Sequence, residues 1–293
     1  MVYRRVGRLL LGAAGFAGLV GWGPATSVVA APSGGGCQLQ GTASFSPGLT
    51  NTAQNFNYNF TGALSGCQSN VPGAPTSGTV QAGKTVTVPY NWTYTDSTTL
   101  SAASLAGATT ISTVASELVG EVITIDAGTA AETRTVTAVS GAGPFTETLS
   151  SALANAHAAG AAVSDTHSGS ATATYQEPVP AGNGSCGTST TSGTAVVTWA
   201  DNTTSVVTYT TTGAAAAVHL TGTVAVNVND SLASFTGPTQ APPAATFTET
   251  TTRYANDGAL GALTFQPPDP TACGGAGVTT AGISGFVGLG AAS

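Results

Sequence analysis

Residues 84–94 read Lys-Thr-Val-Thr-Val-Pro-Tyr-Asn-Trp-Thr-Tyr. This alternation puts Val86, Val88, Tyr90, Trp92 and Tyr94 on one face and Thr85, Thr87, Asn91 and Thr93 on the other. A helix repeats every 3.6 residues and cannot use a period of two. Phe56, Tyr58 and Phe60 alternate with Asn57 and Asn59 in the same way. Further runs rich in Thr, Val and Ala, at 170–176, 193–199, 204–211, 215–228, 245–254 and 260–266, are separated by turn residues at short intervals. β-Branched and aromatic side chains suit a pleated surface, and closely spaced turns make strands double back. An all-β chain follows, with a sandwich or jelly-roll-like main domain. Pro89 has no N–H to give to a ladder, so its run belongs at an edge or a bulge.

Two stretches share an ordered set of features. Gly41-Thr-Ala43 leads through Asn51-Thr52 and Tyr58 to Thr61-Gly-Ala63, and Gly193-Thr-Ala195 leads through Asn202-Thr203 and Tyr209 to Thr212-Gly-Ala214. Each reads as strand, polar turn, aromatic-bearing strand and Gly exit, which predicts a duplicated hairpin. Between them the composition shifts: 97–167 holds six of the thirteen acidic residues and two of the three histidines. This segment is expected to be a smaller β-domain inserted in the main one, which then spans 32–96 and 168–293. Seventy structureless residues inside a compact domain would be unusual. Within the insert, 121–126 and 133–139 read as a hairpin, and the Ala-rich 149–162 as one short helix.

Charge narrows the function classes. Lys and Arg together number 6 and Asp and Glu 13, while 41% of residues are hydrophobic. The chain can bury a core, and disorder from high charge and low hydrophobicity is excluded. Six scattered basic residues cannot form a nucleic-acid footprint. Residues 1–31 read as a signal peptide: Arg4, Arg5 and Arg8, then an apolar stretch from Leu9 to Trp22, then small residues around Val29-Ala30-Ala31. Its removal leaves three basic residues (Lys84, Arg134, Arg253) against thirteen acidic ones, a net charge of −10. No second long apolar run follows, so a secreted chain without a transmembrane segment is expected. The four cysteines, Cys37, Cys67, Cys186 and Cys273, then read as disulfides. A hairpin centred near residues 51–52 sets Cys37 opposite Cys67 and leaves Cys186 for Cys273. Zinc is the rival, but no Cys-x-x-Cys pair gives it ligand spacing.

Catalytic and cofactor motifs are missing, so no catalytic, cofactor or metal residue is assigned. Gly282-Ile-Ser284-Gly285 lacks the spacing of a nucleophile elbow, and Gly274-Gly-Ala-Gly277 lacks the lysine of a phosphate loop. His219 sits between Val218 and Leu220 in a strand pattern and reads as structural. Asp165 and His167 share one strand face and could pair on a metal, with His157 ten residues earlier; a solvated junction is the plainer reading. Tyr90, Trp92 and Tyr94 could stack a sugar, although Val86 and Val88 on the same face favour core packing.

The stretches 41–66 and 184–220, with Phe265-Gln-Pro-Pro-Asp-Pro-Thr-Ala-Cys273, resemble secreted Thr/Gly/Ala-rich β-proteins of actinomycete-type bacteria. Those proteins carry Gly-Thr-Ala…Ser-Pro-Gly-Leu and Thr-Trp-x-Asp…Thr-Thr-Gly hairpins with interspersed cysteines. In the insert, Gly107-Ala-Thr-Thr-Ile111, Ile123-Thr-Ile-Asp126, Glu132-Thr-Arg-Thr-Val136 and Ala156-His-Ala158 resemble a small β-module of bacterial secreted and phage-tail-like proteins. Gly120-Glu121 stands where that module has Gly-Asp. The resemblance implies export and a β fold and brings no chemistry. The expected function is a secreted, non-enzymatic structural or surface-associated role with an extracellular glycan or cell-surface partner. The alternatives are a carbohydrate-binding module, using Tyr90, Trp92 and Tyr94, and a secreted hydrolase, for which Glu177 and Asp201 are the pair to inspect.

Overall fold

The computed structural model describes residues 34–290, so the export segment expected at 1–31 lies outside them. In chain order the strands are β1 (Gly34–Leu49), β2 (Gln54–Ser69), β3 (Gly78–Ala82), β4 (Thr85–Thr99), β5 (Thr110–Thr113), β6 (Val122–Ile125), β7 (Glu132–Ser140), β8 (Phe145–Leu149) and β9 (Ala162–Gln176). They continue as β10 (Ala181–Gly184), β11 (Thr188–Trp199), β12 (Thr204–Ala214), β13 (Ala217–Ala225), β14 (Asn227–Phe235), β15 (Thr246–Thr250), β16 (Gly258–Gln266) and β17 (Val278–Gly290). The described residues are almost entirely β, as the alternation requires.

The main sheet closes on itself. β1 pairs with β2, β2 with β3 and β10, these with β11, and the antiparallel series runs through β12, β13, β16 and β17 back to β1. β3 and β10 share one stave: β3 lies against Phe60–Leu64 of β2, and β10 against Gln54–Asn57. The result is an eight-staved up-and-down barrel, where the sequence suggested two facing sheets of a sandwich or jelly roll. Alternation fixes which face is buried, but it is silent on whether the last strand returns to the first. Here a thirteen-residue β17 pairs with β1 from Gly34↔Gly290 to Ser44↔Thr280, and closure leaves no free edge.

Inward residues of the barrel are apolar: Leu39, Phe56, Tyr58, Phe60, Leu64, Trp199, Val207, Tyr209 and Leu263 are all buried in one cluster. The intervening Asn55, Asn57, Thr208, Thr210, Thr221 and Thr223 are exposed. Membrane-spanning barrels show the reverse arrangement, with the apolar band outside. Gly41 stands opposite Gly62 in the β1–β2 ladder, and a Cβ on either would collide with the Phe60 ring that lies across them. Val196 and Val206 are buried on the outer side because Val228 of the β14–β15 hairpin covers them. Among the described residues no helix is long and apolar enough to cross a membrane.

The split stave is where a second body leaves the barrel. β4 and β9 pair as a long ribbon from Thr85↔Gln176 to Thr99↔Ala162, continuous across positions 97 and 167, while the other edge of β9 takes β14 at 173–176 and β6 at 163–165. Over this run β4 pairs with β9 alone, which leaves Pro89 on an edge. Beyond the ribbon, β6, β7, β8 and β5 follow β9 in the sheet, and a bridge between Leu100 and Thr113 brings the far edge back to β4. These strands enclose a separate core that includes Leu100, Ile111, Ile123, Ile125, Val136 and Val163. The helix expected at 149–162 is absent. That segment is held in bends and a turn by reciprocal backbone bonds between Ser104 and His157 and by Leu153 N–H to Ala108. His157 is also 1% exposed and bonds Glu132 and Asp126 through its two ring nitrogens. Tertiary bonds outweigh the helix propensity of alanine, the highest of any residue, here.

Because the two cores are separate, the distal module is expected to be dispensable to the barrel. Replacing 100–161 by Asn-Gly would close the ribbon as a two-residue hairpin between the paired Thr99 and Ala162. The barrel melting temperature, followed by Trp199 fluorescence in a Trp92→Phe background, should change by less than about 4 °C, an effect of roughly 1 kcal/mol. A non-cooperative melt would show that the barrel core depends on the module.

Candidate functional site

The barrel interior contains a cavity of about 170 Å³. Phe45 meets Phe56, Tyr58 and Phe265 at ring separations of 5.8, 6.0 and 6.0 Å, forming one aromatic wall. Trp199 lines another part, held by Nε1 donating to Ser205 Oγ at 2.9 Å and by an edge contact with Tyr254. The two disulfides lie at opposite ends of β1. Cys37–Cys67 staples its start, with a Cα separation of 4.1 Å; the β-bulge at Gly36/Gln38 puts Cys37 beside Cys67, as the hairpin register predicts. Cys186–Cys273 gathers the turn after β1, because Asn51 N–H donates to Cys273 O and Cys186 N–H to Thr50 O.

Four hydroxyls form one polar part of this cavity, and Tyr254, donating to Ser69 Oγ at 3.2 Å, forms another. Tyr209 bonds Tyr58 at 2.6 Å, Tyr58 bonds Thr191 at 3.1 Å, and Thr191 bonds Thr211 at 2.7 Å. Four hydroxyls joined by three bonds leave one O–H free to donate to something else. Burial raises the pKa of both phenols, so they remain neutral hydrogen-bonding groups. Sequence reading missed this cluster, although Tyr58 and Tyr209 hold matching places in the two similar hairpins.

The ribbon carries the aromatic stripe. Tyr90, Trp92 and Tyr94 are half-buried, and their alternates Pro89, Asn91 and Thr93 are exposed. Tyr90 meets Phe235 edge-on at 5.5 Å, Trp92 stacks on Tyr94 at 5.7 Å, and Tyr94 stacks on His167 at 4.7 Å. Gly169 makes room for the Trp92 ring, since a Cβ there would strike it.

At the distal end of the stripe lie Asp165 and His167, whose Oδ2 and Nε2 atoms are 2.6 Å apart. Asp96, directly across the ladder from Asp165, and Glu121 each reach within 3.7 Å of the same Nε2. Glu117 arrives from the segment between β5 and β6, anchored by its N–H donating to Glu147 Oε1 at 2.8 Å. Burial and then the neighbouring carboxylates, Asp165 first, push Glu117 up to about 7. Burial and Glu121 likewise raise Asp165. Asp165 and His167 were legible as a pair, whereas Asp96, Glu117 and Glu121 are brought to them by tertiary structure.

The remaining candidates have other partners. Glu177 is 2% exposed and accepts from Gln81 Nε2 and Lys84 N–H, while Asp201 lies in the β11–β12 turn, bonded to Thr203 and Arg253. The two carboxylates therefore have separate partners. His219 is exposed on β13 with Val218 and Leu220 turned partly inward.

No family model matches the chain, and no curated protein matches it. A solved structure, phage phi92 endosialidase, aligns at 8% identity over 86% of this chain and 58% of that one, with a TM-score of 0.18. The chain spans less than two thirds of that protein's length, and a likeness so slight bears on neither fold nor function.

Proposed function

We propose that the protein is an exported, non-enzymatic binding protein whose barrel holds a small apolar molecule carrying one polar group. The observation that carries this reading is the largely apolar 170 Å³ cavity with the Tyr209–Tyr58–Thr191–Thr211 hydroxyl chain in its wall. Ligand sites are typically apolar with a few polar groups that fix orientation. A buried apolar void of about 150 Å³ admits benzene, so the expected ligand has one or two rings. Export is supported by the two disulfides and by the amino-terminal pattern of arginines, apolar stretch and small residues.

Titration calorimetry with p-cresol and with toluene tests the reading. Both should bind the protein, and both should be lost when Leu263→Trp fills the cavity. Tyr209→Phe should weaken p-cresol about fivefold and leave toluene unchanged, since one hydrogen bond contributes about 1 kcal/mol. Equal binding to the Leu263→Trp variant, or none to any form, would overturn the proposal. A second reading, sugar stacking on Tyr90, Trp92 and Tyr94, is favoured by the partial exposure of that stripe.

A further inference from the structure

Glu117, Glu121 and Asp165 offer carboxylate oxygens that all lie within 4.8 Å of one another, and Asp165 forms a second such group with Asp96 and His167. The five side chains come from β4, from the segment between β5 and β6, and from β9, so the cluster sits where the distal module joins the ribbon. We propose that it binds a hard divalent cation, calcium or manganese, through Glu117, Glu121 and Asp165, with Asp96 and His167 at the rim. This inference is independent of the barrel ligand.

An observation separate from the clustering supports it. Asp165 is 4% exposed, and its Oδ1 has no hydrogen-bond partner. Glu147, fully buried behind Glu117, has a second unpartnered oxygen, Oε2. Buried carboxylate oxygens are ordinarily satisfied, and leaving one bare is costly. The cationic side chains elsewhere are engaged: Arg134 with Glu132 and Arg253 with Asp201, while Lys84 lies beside Glu177. His167 alone cannot balance four carboxylates. A donor set dominated by carboxylates suits calcium and manganese, whereas zinc favours nitrogen and sulfur. A bound cation would tie the 114–121 segment to the ribbon and so brace the module.

Two measurements on the mature protein, after chelation and dialysis, test the proposal. Calcium or manganese at about 5 mM, well above the affinities of extracellular calcium modules, should raise the melting temperature by about 5 °C. Terbium, which replaces calcium and emits when a nearby aromatic ring is excited, should luminesce here, because Tyr94 stacks on His167 and Trp92 on Tyr94. Calcium should displace that signal. Asp165→Asn and Glu117→Gln each remove a mutually repelling charge, so both variants should stay folded without cation and lose the cation response at least tenfold. Should Asp165→Asn fail to fold, Glu117→Gln decides alone. Absence of both a melting shift and terbium emission would overturn the proposal. So would an undiminished response in the folded variants, which would place the ion elsewhere.

Discussion

Replacing Cys186 and Cys273 by Ala should lower stability by about 4 kcal/mol, the largest effect expected of any paired substitution in the barrel. The bond spans 87 residues, and in the chain-entropy model a loop near this length restricts the unfolded chain by about 4–5 kcal/mol. The native contribution is local and adds to this. The bridge holds the short Pro270–Gly274 turn against the β1–β2 turn, so without it the Asn51–Cys273 and Cys186–Thr50 backbone bonds are free to open. Other devices offer little compensation, because ion pairs at the surface contribute only about 0–1 kcal/mol each. The melting temperature should fall by about 10 °C for the Cys186/Cys273 variant. The Cys37/Cys67 variant should lose less, since that pair spans 30 residues already zipped by the β1–β2 ladder. Thermal melts of the two double variants, with and without reductant, check the order. A larger loss from Cys37/Cys67 would mean that the barrel end near Cys273 contributes little.

The alternation of residues 54–64 placed a strand and its buried face, and the turn centred near 51–52 gave the β1–β2 register that sets Cys37 beside Cys67, whereas the 84–94 face, expected in the core, is only half-buried. Period-two patterning is a local property, so it survives without coordinates. Closure of the barrel is not local. It depends on β17 finding β1 across more than two hundred residues, and Gly- and Ala-rich β17 carries a weak pattern. The same limit explains the sites. Tyr58 and Tyr209 are 151 positions apart and touch only because their hairpins occupy nearby staves. Asp165 and His167 share a face by strand geometry, yet Glu117 joins them through an irregular segment that carries no periodicity at all. The Ala-rich 149–162 misled because composition records helix propensity, whereas Leu153 and His157 are fixed by bonds to Gly107, Ala108, Ser104 and Glu132.

Stability should fall as pH rises from about 5 to 8, and Asp230→Asn should remove about 2 kcal/mol of that fall. Asp230 is fully buried on β14, and neither of its carboxylate oxygens has a hydrogen-bond partner. Burial, and then the charge of Glu177, raises its pKa to about 6. On the adjacent β15, Glu249 rises to about 7 through burial and then Asp230 and Glu177, and its Oε2 also lacks a partner. Glu177 itself is raised by burial, although Lys84 N–H and Gln81 favour its charged form. These folded values lie above the ordinary ones of 3.8 and 4.5, so the native state holds protons that the unfolded chain releases. The stabilisation is complete below about pH 4 and is lost as pH climbs through 6 to 7. An asparagine keeps the shape of the buried aspartate but has no charge to bury at pH 8, and it relieves Glu249 of a neighbouring charge. Urea midpoints at pH 5 and pH 8, in chelator, should separate wild type strongly and the variant weakly. The distal carboxylates Glu117 and Asp165 titrate in both proteins and cancel in the comparison. Parallel pH profiles would show that Asp230 is not the group whose burial sets the alkaline loss.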